Sequence, residues 1–315
     1  MKYFLAWLAF FIFAIILVPL LLNMNFSENK ANKPSYNDSD IQVYFTLEDR
    51  IKTMKTEDYI RGVLMAEMPA EFELEALKAQ AVAARSYMAE KRKNDSKDEV
   101  HPDADVCTDS SHCQAYVSDK DAKTKWGKNA SLHLKKCKNA VESTAGEIAL
   151  FNNEPIKAVF HSVSGGRTEN ASDVWSGSVS YLKSVDSPGE EVAPKYESTA
   201  EFTAEEFKRI LKAELGIEYT GNIGAVTRSE GGAVKTMEIS GKSVKGTDIR
   251  KAFGLNSANF EIKFTDNAVV FSVLGYGHGV GMSQYGANHC AKQGMNYKEI
   301  LSKYYSGISF GRLDA

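Results

Sequence analysis

The chain opens on twenty consecutive uncharged positions, residues 3–22 (YFLAWLAFFIFAIILVPLLL), and then changes character abruptly. At about 1.5 Å per helical residue such a run spans a hydrocarbon core of roughly 30 Å, so it predicts a single N-terminal transmembrane helix. Lys2 and the N-terminal amine are its flanking positive charges, a cytoplasmic-side signal. Leu20, Leu21, Leu22 and Asn23 make no small-x-small cleavage site, so an uncleaved anchor over residues 1–22 is expected rather than a signal peptide. Residues 23–40 hold five Asn, three Ser and a Pro with little to bury, and read as a polar linker. The rest, 41–315, is then expected outside the cytoplasm.

Beyond residue 40 the periodicity alternates between strand and helix types. Ile41–Leu47 alternates apolar and polar positions as a half-buried strand does. Tyr59, Ile60, Val63 and Leu64 share one face of a predicted helix over Thr56–Glu67, which Pro69 closes, and Glu71–Lys91 is rich in good helix formers. A polar, Asp-rich excursion fills 94–112. Strand-like runs follow at Gln114–Val117, Glu147–Phe151, Ile156–Ser162, Ala233–Ile239 and Ala268–Val273, with a helix over Thr203–Leu215 between them. There is no repeat of 20–50 residues and no βαβ regularity. The class predicted is α+β, a two-lobed ectodomain with a substrate cleft.

Composition removes some functions without naming one. Forty-one acidic side chains against 38 basic ones give a net charge of −3, which lacks the positive field of a nucleic-acid binder. Residues 1–40 sum to zero, so that charge belongs to 41–315. Four cysteines are too few for a disulfide scaffold.

Candidate chemistry concentrates in three places. Glu67 lies among Met65, Ala66, Met68 and Pro69 at a helix C-terminus, where apolar neighbours and the helix dipole both disfavour a carboxylate anion, as a general acid requires. On the next helix Lys78 and Arg85 are seven residues apart and share a face, either as cleft cations or as solvated charges. His101, Cys107, His112 and Cys113 crowd into thirteen residues. His101, Cys107 and Cys113 would give three zinc ligands, the fourth being water, His112 or a carboxylate; a Cys107–Cys113 disulfide and free thiols are the alternatives. Cys137 and Cys290 are expected as buried thiols. His161-Ser162-Val163-Ser164-Gly165-Gly166 leaves a strand into a turn whose glycines let backbone amides approach a ligand. Ser180-Tyr181-Leu182-Lys183 matches S-x-x-K, but the accompanying K-T-G and S-D-N elements are absent. In GYGHGVGMSQYGA (275–287) the alternating glycines suggest a strand end packed on another backbone, with Ser283 opening a helix. His278 there is either a cleft residue or a satisfied core histidine.

Three blocks carry a resemblance: AEMPAEFELEALKAQAVAARSY, FHSVSGGRTENASDVW (160–175) and GYGHGVGMSQYGA. In this order they resemble the stage II sporulation protein D family, which is similar to amidase-enhancer proteins, over roughly residues 41–310. The resemblance implies a membrane-tethered lytic transglycosylase of peptidoglycan, acting between two cell membranes during sporulation engulfment. It puts the catalytic carboxylate at Glu67 and the 160–175 segment, with His161, Ser164, Gly165 and Gly166, at the cleft. Lys183 then reads as a cleft cation beside Lys78 and Arg85, with His278 as a further substrate contact. It also implies glycan strands as substrate, and the stage II sporulation amidase (protein P) and membrane protein M as partners. A non-catalytic glycan-binding amidase enhancer is the alternative. A zinc-dependent wall peptidase is disfavoured because no H-E-x-x-H is present.

Overall fold

The alternating stretch after the linker becomes β1 (Asp40–Phe45), which pairs antiparallel with β2 (Arg50–Lys55) and buries Ile41 and Val43. The computed structural model describes residues 37–94, 100–175 and 177–313, and the predicted transmembrane run and most of the linker lie outside these. No helix among the described residues is long and apolar enough to cross a membrane. From Asp38 onward the described residues form one compact α+β unit with two separate apolar cores.

Helix α1 (Thr56–Glu67) has the predicted bounds. Pro69 disfavours helical backbone at Met68, which is extended (φ −120°, ψ 138°), so Glu67 is the last helical residue. Helix α2 (Leu74–Asn94) runs through the first core. Ala76, Ala79, Ala81, Ala83 and Ala84 are all fully buried, and these short side chains let neighbours approach on several sides. After β3 (Val106–Cys107), α3 (Asp119–Trp126) and a short 3₁₀ turn, α4 (Ala130–Ser143) packs on both α1 and α2. β3 runs parallel to β1 with Val43 opposite Val106 and Tyr44 opposite Cys107, which carries the cysteine segment onto the first sheet.

β4 (Glu147–Phe151) and β5 (Glu154–Pro155) form a hairpin beside α2, followed by β6 (Phe160–His161) and the one-turn α5 (Ala171–Val174). The second core belongs to the segment from β7 (Glu197–Phe202) through α6 (Ala204–Leu215), β8 (Ile223–Arg228), β9 (Val234–Ile239), β10 (Lys242–Lys245), α7 (Gly246–Ala252) and β11 (Phe260–Phe264) to β12 (Val269–Leu274). Thr203 caps α6 in a reciprocal box with Glu206. The chain then returns to the first core through β13 (Met282–Ser283), α8 (Gln284–Lys292), α9 (Tyr297–Tyr304) and β14 (Ser309–Arg312). Ser283 caps α8 as predicted, accepting from the Gly286 N–H at 3.3 Å.

Two predicted strands are not strands in this sense. Gln114–Val117 is extended but unpaired, because it lies along α1: the Val117 N–H donates to the Gly62 carbonyl at 3.2 Å. Of Ile156–Ser162, only Phe160 and His161 enter a ladder, parallel to β13.

Candidate active site

Glu67 faces a cleft of about 540 Å³. Its walls come from α1, from the 110–114 loop, from the 157–160 strand approach, from the 171–182 turn and from His278. None of the lining residues belongs to the second core, so the cleft is a feature of the first. The Ala115 N–H donates to Glu67 Oε1 at 2.7 Å and fixes the carboxyl at the end of its helix. Burial pushes the Glu67 carboxyl above the ordinary glutamate range, against the opposing pull of that N–H. Glu67 is the only carboxylate among the described residues that line the cleft.

The His/Cys cluster forms part of the same wall, through His112 and Cys113. The ligand atoms of His101, Cys107, His112 and Cys113 all lie within 4.8 Å of one another. His101 Nε2 is 3.3 Å from Cys113 Sγ, and His112 Nδ1 is 3.6 Å from Cys107 Sγ and 3.5 Å from Cys113 Sγ. A tetrahedron with metal–ligand bonds of about 2.0–2.3 Å has edges of roughly 3.3–3.8 Å, so these separations suit a four-coordinate zinc. His101 Nδ1 donates to the Ala104 carbonyl at 3.1 Å, which leaves the Nε2 lone pair facing the cluster. Cys107 and Cys113 are free thiols rather than a disulfide. A hydrogen bond from Cys113 holds the Cys107 thiol down to about 5; the same bond, with burial, pushes Cys113 up. His112 thus supplies the fourth donor that spacing left open. Cys137 and Cys290 are buried thiols, as expected.

The predicted substrate residues do not converge on this cleft as a group. Arg85 is fully buried: Nε and Nη2 donate to Glu57 at 2.9 and 2.6 Å, and Nη1 donates to the Glu147 carbonyl at 2.9 Å. Its face of α2 turns to β4 and α1, so it is an internal strut and not a cleft cation. Lys78 pairs with Glu75 at 2.7 Å and lies over the Tyr297 ring, away from the lining. Lys183 is exposed and also outside the lining.

His161 is buried, with Nδ1 donating to the Val280 carbonyl at 3.2 Å; burial drives its pKa down to about 3. His278 does line the cleft; its Nδ1 accepts from the Val280 N–H, and burial holds it at about 4, so both imidazoles are neutral at physiological pH. Ser164 is held from behind: its N–H and Oγ donate to the buried Glu190 carboxylate at 2.6 and 2.8 Å. Ser187 and Ser283 donate to the same carboxylate. Gly166 donates its N–H to Ser164 Oγ, and Gly165 lines a separate cavity of only about 30 Å³ beyond His278. The alternating glycines 275, 277, 279 and 281 all have positive φ, and a Cβ at Gly281 would meet the Val159 carbonyl at 2.1 Å. That close backbone approach seats His278 against the 159–163 segment.

A family model described as Stage II sporulation protein (SpoIID) matches residues 35–151. Stage II sporulation protein D of Bacillus subtilis (strain 168) is 39% identical over the whole of this chain and 97% of its own length. The chain belongs to the stage II sporulation protein D family. The protein of the same description from Bacillus amyloliquefaciens is 40% identical over 91% of the chain and 84% of its own length. The amidase enhancer of B. subtilis is 29% identical over 79% of the chain but 40% of its own length.

For this family member the cleft holds residues that sequence reasoning passed over. Lys157, not Lys78, Arg85 or Lys183, is the cation among the described lining residues. Gln114 and Trp175 line it as well. Both stand in stretches already notable, one beside Cys113 and the other at the end of the 160–175 block, but neither residue type singles itself out in a sequence.

Proposed function

We propose that this chain is a membrane-anchored lytic transglycosylase that cuts peptidoglycan glycan strands, with Glu67 as its acid and then its base. A hydrolysing glycosidase ordinarily needs two carboxyl groups, one as acid and one as base or nucleophile. A lytic transglycosylase needs one, because the attacking group is the sugar's own 6-hydroxyl. Glu67 protonates the glycosidic oxygen as the bond to the anomeric carbon breaks. The resulting carboxylate takes the proton of the 6-hydroxyl as that oxygen attacks the same carbon, leaving a 1,6-anhydro-muramoyl end and restoring the acid. Intramolecular attack supplies the effective concentration. The observation that carries this reading is a single carboxylate among the described residues that line the cleft, with its pKa raised by burial.

The four-donor cluster fits a structural zinc. As two thiolates and two imidazoles, His101, Cys107, His112 and Cys113 would hold zinc on four protein donors and leave no ligand position for a reacting water, which weighs against a zinc peptidase. Zinc bound there would cross-link the 101–113 loop and supply no chemical step. Lys157 and the neutral His278 line the cleft around the strand. In the setting this implies, the catalytic domain lies outside the cytoplasm, tethered by residues 1–22, and the stage II amidase and protein M are its partners.

The test is digestion of peptide-free glycan strands by the full chain and by Glu67→Gln, with ends identified by mass. Anhydro ends, one water lighter than hydrolytic ends and absent with the variant, support the proposal. Water-added ends would mean a hydrolase. Strands bound but left intact would favour the amidase-enhancer reading, which the likeness to the B. subtilis enhancer motivates.

A further inference from the structure

Two cleft residues have no structural reason to be what they are. Among the described residues, eight large apolar side chains stand well exposed, and Trp175 alone of these lines the Glu67 cleft. Its backbone is fixed, with the N–H donating to the Ala171 carbonyl at 2.8 Å, and Asp173 two residues earlier is pinned by Lys235 at 2.7 Å. The indole lies 5.0 Å from the His278 ring, which is itself backed by His161 at 5.7 Å. This is a supported aromatic surface left open to the cleft, with Trp175 41% exposed.

Gln114 is the opposite case. It is 2% exposed, lines the same cleft, and neither its Nε2 nor its Oε1 has a hydrogen-bond partner among the described residues. Buried amides are normally paired, so one that is not is an argument for a ligand that completes it. A side-chain amide offers one kind of donor and one kind of acceptor, the complement of another amide. Its neighbour in the chain, Ala115, supplies the N–H that holds Glu67. A ligand amide paired with Gln114 therefore sits beside the acid. In a 2-acetamido sugar the amide is on the carbon next to the anomeric carbon, where the bond to be broken begins.

We propose that Gln114 and Trp175 form a subsite for a 2-acetamido pyranose beside Glu67, Trp175 stacking on a face of the ring and Gln114 pairing with the acetamido group. The proposal rests on reading the cleft as a glycan site and adds how the acetamido group is recognised. A polar site built for a group rejects an analogue that lacks it, because its own polar atoms then stay unpaired. An aromatic platform makes no such distinction.

The test is equilibrium binding by the full chain carrying Glu67→Gln, so that nothing is cut, to two probes: peptide-free glycan strands and the same strands chemically N-deacetylated. The parent is expected to prefer the acetylated strands by about tenfold or more. Gln114→Met should abolish that preference by weakening only the acetylated probe, while leaving thermal stability equal or higher, since it removes an unpaired buried amide. Trp175→Ala should weaken both probes about equally, and Trp175→Phe should recover part of the loss. A preference that survives Gln114→Met, a loss of stability in that variant, or parent-like binding by Trp175→Ala would overturn the subsite. Binding that depends on both residues, with strands that the unmodified chain never cuts, would sink the lytic reading and leave the subsite standing. Cutting without that dependence would do the reverse.

Discussion

Arg85→Ala separates a cleft role from an internal one. In the structure the substitution removes three donated hydrogen bonds: two to the Glu57 carboxylate and one to the Glu147 carbonyl. Glu57, 15% exposed, would keep the Gly146 N–H at 3.0 Å as a donor to Oε1 but lose its counter-charge. Breaking a buried pair by truncating one partner costs about 3–5 kcal/mol, most of it the uncompensated charge left behind. In a domain of this size that lowers Tm by on the order of 10 °C. Replacing both partners, as in Arg85→Met with Glu57→Leu, should recover most of the loss, because an apolar pair of similar volume often matches a buried ion pair. The assay is thermal unfolding of the single and double variants, with glycan cleavage measured well below each Tm. Cleavage per folded molecule should stay near that of the parent in both. A variant with unchanged Tm and lost glycan binding would refute the reasoning and return Arg85 to the cleft.

Four further expectations follow from the same geometry. Glu67 must start protonated, and burial raises its pKa, so kcat/KM should hold at low pH and fall as pH rises through that raised value; a profile that rises there instead would remove Glu67 as the acid. The same shift has a stability consequence: folding support from the protonated carboxyl is present at acid pH and lost as pH rises through its folded value, so Glu67→Gln should gain stability relative to the parent only at the higher pH. Purified under reducing conditions, the chain should carry about one zinc by elemental analysis, and Cys113→Ser should lower both metal content and Tm; full stability in metal-free protein would exclude the structural zinc. Gly62→Ala would place a Cβ 2.1 Å from the Tyr116 ring, so it should cost about 1–3 kcal/mol in Tm measurements and also reduce cleavage by lifting the 114–117 segment off α1.

What the sequence made legible depended on range. The place of Glu67 at the end of its helix was legible because the signals are local: a proline two residues on, apolar neighbours and a helix that must stop there. The cluster was legible for the same reason, since four donors within thirteen residues need only one loop to meet. Arg85 was misread because seven-residue spacing tells which residues share a face, not what that face meets. Ala-rich α2 is buried on several sides, and the face with Arg85 meets Glu57 and β4. Gln114–Val117 has a strand's composition but spends its hydrogen bonds on α1, a pairing set by tertiary packing. Trp175 and Gln114 acquire meaning only when β13 and β6 pair and bring His278 across from the 171–182 turn.

The cluster and Glu67 are joined by one short stretch of chain. Cys113 is a cluster donor, Gln114 lines the cleft, and Ala115 donates to Glu67, so three consecutive residues connect the proposed zinc to the Glu67 carboxyl. Among the described residues the segment pairs with no strand; the cluster holds one end, and α1 and the Phe45 ring pack on the other. An acid that must also act as base needs its carboxyl kept in one position through both proton transfers, with a pKa raised but not extreme. Burial supplies the rise and the Ala115 N–H limits it. On the proposed mechanism a metal in the cluster would act through position alone, so its loss should cost stability and cleavage together without changing the kind of end produced.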